Sequence, residues 1–176
     1  MKHHGATASG SGAAATVNNL VAMAYGSTNA QARQQLLDVL ATAANEIGVG
    51  LASLGEAYER LDEHAGDTLE QDLFRPVQLA YGRAQRTHAE FAERHGLPRR
   101  TFEPASPGAP STSVKDLLDN AVDAVEEADG TLATLQDSML PVEFGDTELR
   151  AGLQEVRQLI GDLRVNARQL MRTLGR

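Results

Sequence analysis

Residues 30–65 read AQARQQLLDVLATAANEIGVGLASLGEAYERLDEHA, and the apolar positions in this stretch decide the fold class. Leu37, Leu40, Ala44, Ile47, Leu51, Leu54, Tyr58, Leu61 and Ala65 follow one another in alternating steps of three and four. An α-helix gathers that heptad spacing into one stripe, whereas a strand would scatter it over two faces. The positions beside the stripe, Ala41, Ala43, Gly48, Gly50, Gly55 and Ala57, are small. The helix is therefore predicted to be approached closely from both sides, as the hub of a bundle. Each internal glycine costs up to about 1 kcal/mol against alanine in a helix. Close packing of neighbouring helices is the expected compensation, with Gly48, Gly50 and Gly55 facing them.

Upstream, Thr28 and Gln31 have the spacing of a capping box and predict the hub's start. Val17, Leu20, Val21 and Ala24 predict a separate short helix over residues 16–25, ending near Gly26. The Gly, Ala, Ser and Thr of residues 1–15 read as a disordered N-terminal arm. Downstream, Gly66 suits a left-handed helix stop, and Asp67 with Glu70 a restart. The next seam is Leu73, Val77, Ala80, Ala84 and Phe91, running to His95. Pro76 interrupts it, so a break or irregular turn is expected between Asp67 and Pro76.

Gly96-Leu97-Pro98 ends that helix, and Pro104, Pro107 and Pro110 mark residues 98–112 as a linker. Ser113 and Asp116 cap a fourth helix with the seam Val114, Leu118, Ala121, Val125, Ala128, Leu132, Leu135 and Met139. Pro141 closes it, and Phe144 is expected to plug the bundle end. A last helix opens at Asp146 or Thr147 and carries Leu149, Leu153, Val156, Ile160, Leu163, Ala167, Leu170 and Leu174. The expected fold is all-α: an elongated four-helix bundle of two antiparallel helical hairpins plus a short N-terminal helix. Residues 16–97 hold the short helix and the first hairpin, and residues 113–176 hold the second, packed on the first as one domain.

The 176 residues are 41% hydrophobic but only 4% aromatic, so the core must be built from Leu, Val, Ile and Ala. A net charge of −8 disfavours nucleic acid and anionic membrane surfaces as partners. No apolar run is expected to span a membrane. The absence of cysteine excludes disulfides and thiolate metal sites. Lys2 and Lys115 are the only lysines against many arginines, a bias that suggests a GC-rich bacterial genome. Ala22-Met23-Ala24 resembles a signal-peptide cleavage site, but Gly10, Ser11, Gly12, Asn18 and Asn19 break the apolar run it needs. A cytoplasmic protein is expected, with export by another route as the alternative.

Charge is layered along the hairpins, with acids on the leading helices and arginines on the returning ones. Folding the second hairpin brings Arg157 level with Asp129 and Arg164 level with Asp123, but of these only Asp129 occupies the matching flank. Some arginines are therefore expected to pair within the hairpin and others to be free for a partner or another helix. Arg150, Arg157 and Arg164 repeat every seven residues, as do Phe74, Tyr81, His88 and His95. The residues three before His64, His88 and His95 are Leu61, Gln85 and Ala92, so the Glu-x-x-His of helical di-metal sites is missing. His88 and His95 are about 10 Å apart in rise, too far to share an ion. Both rows are read as candidate interaction surfaces, toward a neighbouring helix or another chain. No Gly-rich phosphate loop, Gly-x-Ser-x-Gly or Ser–His–Asp grouping is recognisable, so neither catalytic residues nor a cofactor or metal site are assigned.

Tyr58-Glu59-Arg60-Leu61-Asp62 resembles the Tyr-x-x-x-Asp signal of actinobacterial type VII secretion substrates, which are helical hairpins. The resemblance covers five residues, lacks those substrates' Trp-x-Gly turn, and would make Tyr58 and Asp62 a secretion signal. Val49 on the outer side of the hub and Leu79 on the third helix exceed what one seam needs. The functional expectation is thus a non-enzymatic interaction or assembly protein that self-associates as a homo-oligomer. A secretion-system substrate and a small-ligand sensor with a cavity between glycine-bearing helices are the alternatives.

Overall fold

The computed structural model describes the backbone of residues 11–107 and 113–175, and the side chains of residues 28–107 and 113–175. The described residues form helices and no strand: α1 (Ser11–Tyr58), α2 (Glu63–Leu69), α3 (Arg75–Arg94), α4 (Val114–Asp137), α5 (Leu140–Glu143), α6 (Thr147–Ile160) and α7 (Leu163–Leu174). A π-helical segment, Glu70–Phe74, joins α2 to α3.

The separate short helix is not found. Helix α1 runs unbroken for 48 residues through Gly26 and Thr28, and the five residues before Thr16 belong to it. One glycine costs about 1 kcal/mol in a helix, too little to end one that continues strongly on both sides. The rest of the expected arm, residues 1–10, lies outside the described residues.

The hub also stops earlier than expected, at Tyr58 instead of Ala65. Asp62 accepts a hydrogen bond from the Ala65 N–H at 2.8 Å and so caps α2, in the role expected of Asp67. Gly66 consequently lies inside α2 and is not a stop. The irregular turn before Pro76 is present. The Arg75 N–H reaches back five residues to the Glu70 carbonyl, and Pro76, without an N–H, sits in the first turn of α3 where none is needed. Asn166 on α7 donates to the Asp72 carbonyl in the π segment at 3.2 Å. Helix α3 ends in a Schellman turn: Gly96 takes φ +64°, and the Leu97 N–H bonds the Ala92 carbonyl at 2.8 Å.

The most extensive helix contact is between α1 and α4, followed by α3 with α6 and α1 with α3. On the hub, Gly55 lies at Phe74, Gly48 at Tyr81, and Gly50 at Ala121 and Val125. Across α3 and α6, Arg83 meets Glu155, Thr87 meets Gly152, and Arg94 meets Asp146. For α1 with the π segment and α3, and for α3 with α6, residue numbers rise along one element as they fall along the other. The predicted stripes make the core: Leu37, Leu40, Ala44, Ile47 and Leu54 from α1, Leu118, Ala121, Val125, Ala128, Leu132 and Leu135 from α4, and Leu149, Leu153, Val156, Ile160, Leu163, Ala167 and Leu170 from α6 and α7.

Three stripe ends depart from expectation. Tyr58 is 42% exposed because α1 ends there. Met139 leaves the seam for a left-handed turn at φ 66° and is 51% exposed. The last helix is two, divided at Gly161–Asp162, and Leu174 is exposed. Phe144 is half-buried against the core, and its carbonyl accepts from Arg33 Nε at 3.2 Å. Contrary to the sequence expectation, residues Thr28–Tyr58 are long and apolar enough by composition to cross a membrane; 56% of the residues in their most apolar 18-residue stretch are buried within the protein.

Candidate functional site

The hub glycines are contact points. A Cβ on Gly48 would lie 3.1 Å from the Tyr81 ring and 3.5 Å from Ala105 of the linker; one on Gly50 would lie 2.7 Å from Val125 Cγ2. The linker is therefore laid over α1 and α3. Its Phe102 is half-buried and meets the His88 ring edge-on, with centroids 5.4 Å apart.

The row Phe74, Tyr81, His88 and His95 is spent largely inside the chain. His88 is only 2% exposed, so of the two expected neighbours, another helix or another chain, it packs within its own chain. Its Nδ1 has no hydrogen-bond partner. Burial holds its pKa below the usual imidazole value, the Arg100 charge lowers it further, and Asp38 opposes both. His95 Nε2 lies 3.0 Å from Asp146 Oδ2, and its ring packs on Phe91. Asp146 also receives Arg94 through Nε at 2.8 Å and Nη2 at 2.9 Å, and caps α6 by accepting from the Leu149 N–H at 2.8 Å. Burial raises the Asp146 pKa, but the hydrogen bonds from Arg94, Leu149 and His95 outweigh it and bring it down to about 2.

The arginine row braces its own hairpin. Arg150 bonds the Pro141 carbonyl at 3.2 Å. Arg157 pairs with Asp129 at 2.8 Å, as its level in the sequence predicts, and also with Gln136. Arg164 pairs with Glu126, one turn from Asp123, which is level with it but off its flank. None of the three is a bare cation awaiting a partner.

Three features were not foreseen. A groove of about 500 Å³ follows the α1–α4 junction, lined by Val39, Leu135 and Leu140 among Thr131, Thr134 and Ser138, with no charged residue in its walls. Beside its end, Met139 and Val142 are 51% and 56% exposed. Second, Glu46 lies at the same junction with its Oε2 buried and unpartnered; burial raises its pKa, the Glu127 charge adds to that, and the Thr131 hydroxyl partly offsets it. Third, a recess of about 270 Å³ opens between Gly55, Tyr58, Glu59, Glu70 and Phe74. The sequence could have signalled the groove through its run of small hydroxyl residues on α4. The recess joins two segments across a turn, which no single periodicity reveals. Among the described residues no cluster of three or more His, Asp or Glu is arranged to hold a metal ion. Comparison with known proteins finds no family model, no curated protein and no solved structure that matches the chain.

Proposed function

We propose that the protein is a non-enzymatic interaction or assembly protein of bacterial origin, cytoplasmic, built as a four-helix bundle of two antiparallel hairpins, that associates with a second copy of itself. The observation that supports this most is the uncharged α1–α4 groove with Met139 and Val142 exposed at its end. A chain of net charge −8 repels its own copy over most of its surface. An uncharged, partly apolar strip is where two copies can approach at least electrostatic cost. Leu79, 55% exposed on α3, adds a second apolar position outside the core, as its place off the seam suggested.

Sedimentation equilibrium over a wide concentration range tests the reading. Thr134 and Met139 are both exposed, so Thr134→Glu and Met139→Glu should leave folding intact and shift the equilibrium to monomer. A wild-type chain that stays monomeric at high concentration defeats self-association.

A second reading, recognition by a type VII-like export system, is favoured by one observation: Tyr58 is exposed at the end of α1, four residues before Asp62 in the following turn. Unchanged export of Tyr58→Ala, or no export of the wild type, would dismiss it.

A further inference from the structure

We propose that the recess at the end of α1 is a binding site for a small quaternary ammonium ion. This does not rest on self-association, because the recess shares no residue with the α1–α4 groove.

Its construction begins with Gly55. A Cβ there would lie 4.0 Å from the nearest Phe74 ring atom, an ordinary contact, so the position has room for a methyl group that Gly50, closed against Val125, does not have. Phe74 forms one wall. Tyr58 forms another, its ring held against Gly66, where a Cβ would lie 3.4 Å away. Two aromatic residues therefore line a hollow whose other lining residues are Gly55, Glu59 and Glu70. Glu70 and Phe74 are the first and last residues of the π-helical turn, a distortion found disproportionately at functional sites.

Neither acid of the recess, Glu59 or Glu70, is engaged in a salt bridge among the described residues. Arg60, next to Glu59, is paired with Glu56 at 3.2 Å, and Arg75, next to Phe74, forms no salt bridge with either acid. Aromatic faces carry negative potential and attract a cation, most usefully one whose charge is spread over methyl groups that also tolerate an apolar wall. The acids supply the countercharge. A metal ion would be poorly served, because rings fill the positions where further oxygen ligands are needed. The volume, about 270 Å³, suits a small molecule better than a peptide segment.

The test uses the full chain, titrated with tetramethylammonium and choline against 3,3-dimethylbutanol, the uncharged carbon analogue of choline, with matched sodium chloride as control. Binding is followed through the Tyr58 and Phe74 ring resonances. Partly open cation–aromatic sites are weak, so dissociation constants of roughly 1 mM are expected, with the neutral analogue at least tenfold weaker. Phe74→Leu and the pair Glu59→Gln with Glu70→Gln should each weaken binding about tenfold. Gly55→Ala should fill the gap and weaken binding while raising the melting temperature, which separates loss of the site from loss of the fold. Equal shifts with the neutral analogue, shifts indifferent to the Glu→Gln pair, or no shift at 20-fold the expected constant would each overturn the proposal. So would a lysine-containing peptide that binds at the same rings tenfold more tightly than choline.

Discussion

Two helix contacts carry the molecule, and they are made differently. Between α1 and α4 the seam is apolar, drawn in to Gly50, and Glu46 at its edge, near Glu127, is left without a partner for Oε2 among the described residues. Between α3 and α6 the apolar contact is similarly close, Thr87 against Gly152, but it is clamped at both ends by charge: Arg83 with Glu155 at 2.7 Å, and Arg94 and His95 with Asp146. Apolar burial drives association without fixing how far one helix slides along another, whereas bidentate ion pairs fix register. The α1–α4 contact supplies area, and the α3–α6 contact adds a defined alignment.

The largest effect should come from the closest approach. Gly152→Ala places a Cβ 2.3 Å from Thr87 Oγ1 and 3.0 Å from Thr87 Cβ, which no rotation of Thr87 relieves. A loss of about 3 kcal/mol is expected by denaturant unfolding. Gly50→Ala meets Val125 Cγ2, a side-chain end that can yield, and should cost about 1–2 kcal/mol. Pairing each with Thr87→Ala or Val125→Ala should recover part of the loss at its own contact and none at the other.

Asp146 sharpens the contrast next. Asp146→Ala removes a helix cap and the partner of Arg94 and His95 together, for about 2 kcal/mol, while Asp146→Asn retains cap geometry and should cost about half as much. Because the folded pKa is depressed from 3.8 to about 2, this stabilisation is full above the unfolded value and disappears as pH falls between the two. Acid unfolding of Asp146→Asn should lose that component of the slope.

His88 acts at higher pH. Its folded pKa is below 6.5, so the unfolded chain binds the extra proton. Stability is complete above 6.5 and declines as pH falls below it. Thermal melts of the wild type should show this decline, and His88→Gln should flatten it. The smallest effect belongs to the α1–α4 edge. Glu46 has a raised folded pKa, so its contribution is present below 4.5 and lost as pH rises. Glu46→Gln should accordingly stabilise the protein at neutral pH, by less than about 1 kcal/mol.

Periodicity made the three main stripes legible, because burial on one helical face leaves a record at every third or fourth residue. The caps at Ser113 and Asp146 and the Arg157–Asp129 pair were equally readable, since they depend on residues close in sequence or level in one hairpin. A stripe is blind to chain breaks that keep phase. Leu61 and Ala65 prolong the hub's heptad across the turn at residues 59–62, and Leu163 prolongs that of α6 across Gly161. Which helices meet most extensively was not readable either, because α1–α4 pairing spans the linker. The aromatic recess escaped for a related reason: Tyr58 was assigned to the core by a repeat that runs on past it, whereas the helix ends at that residue.

The π turn at residues 70–74 has a consequence for how the chain tolerates length changes. One residue more or fewer in a regular helix rotates everything beyond it by about 100°. Across this turn the phase is offset, which lets Leu69 on one side and Val77 on the other both point inward. Deleting Gln71, exposed and without a side-chain bond among the described residues, would restore ordinary winding and leave Leu69 and Val77 about two regular turns apart, so both would still face inward. A single lost codon here would therefore leave the Leu69 face in place, whereas the same deletion inside the regular winding of α3 would turn every apolar residue beyond it off the core.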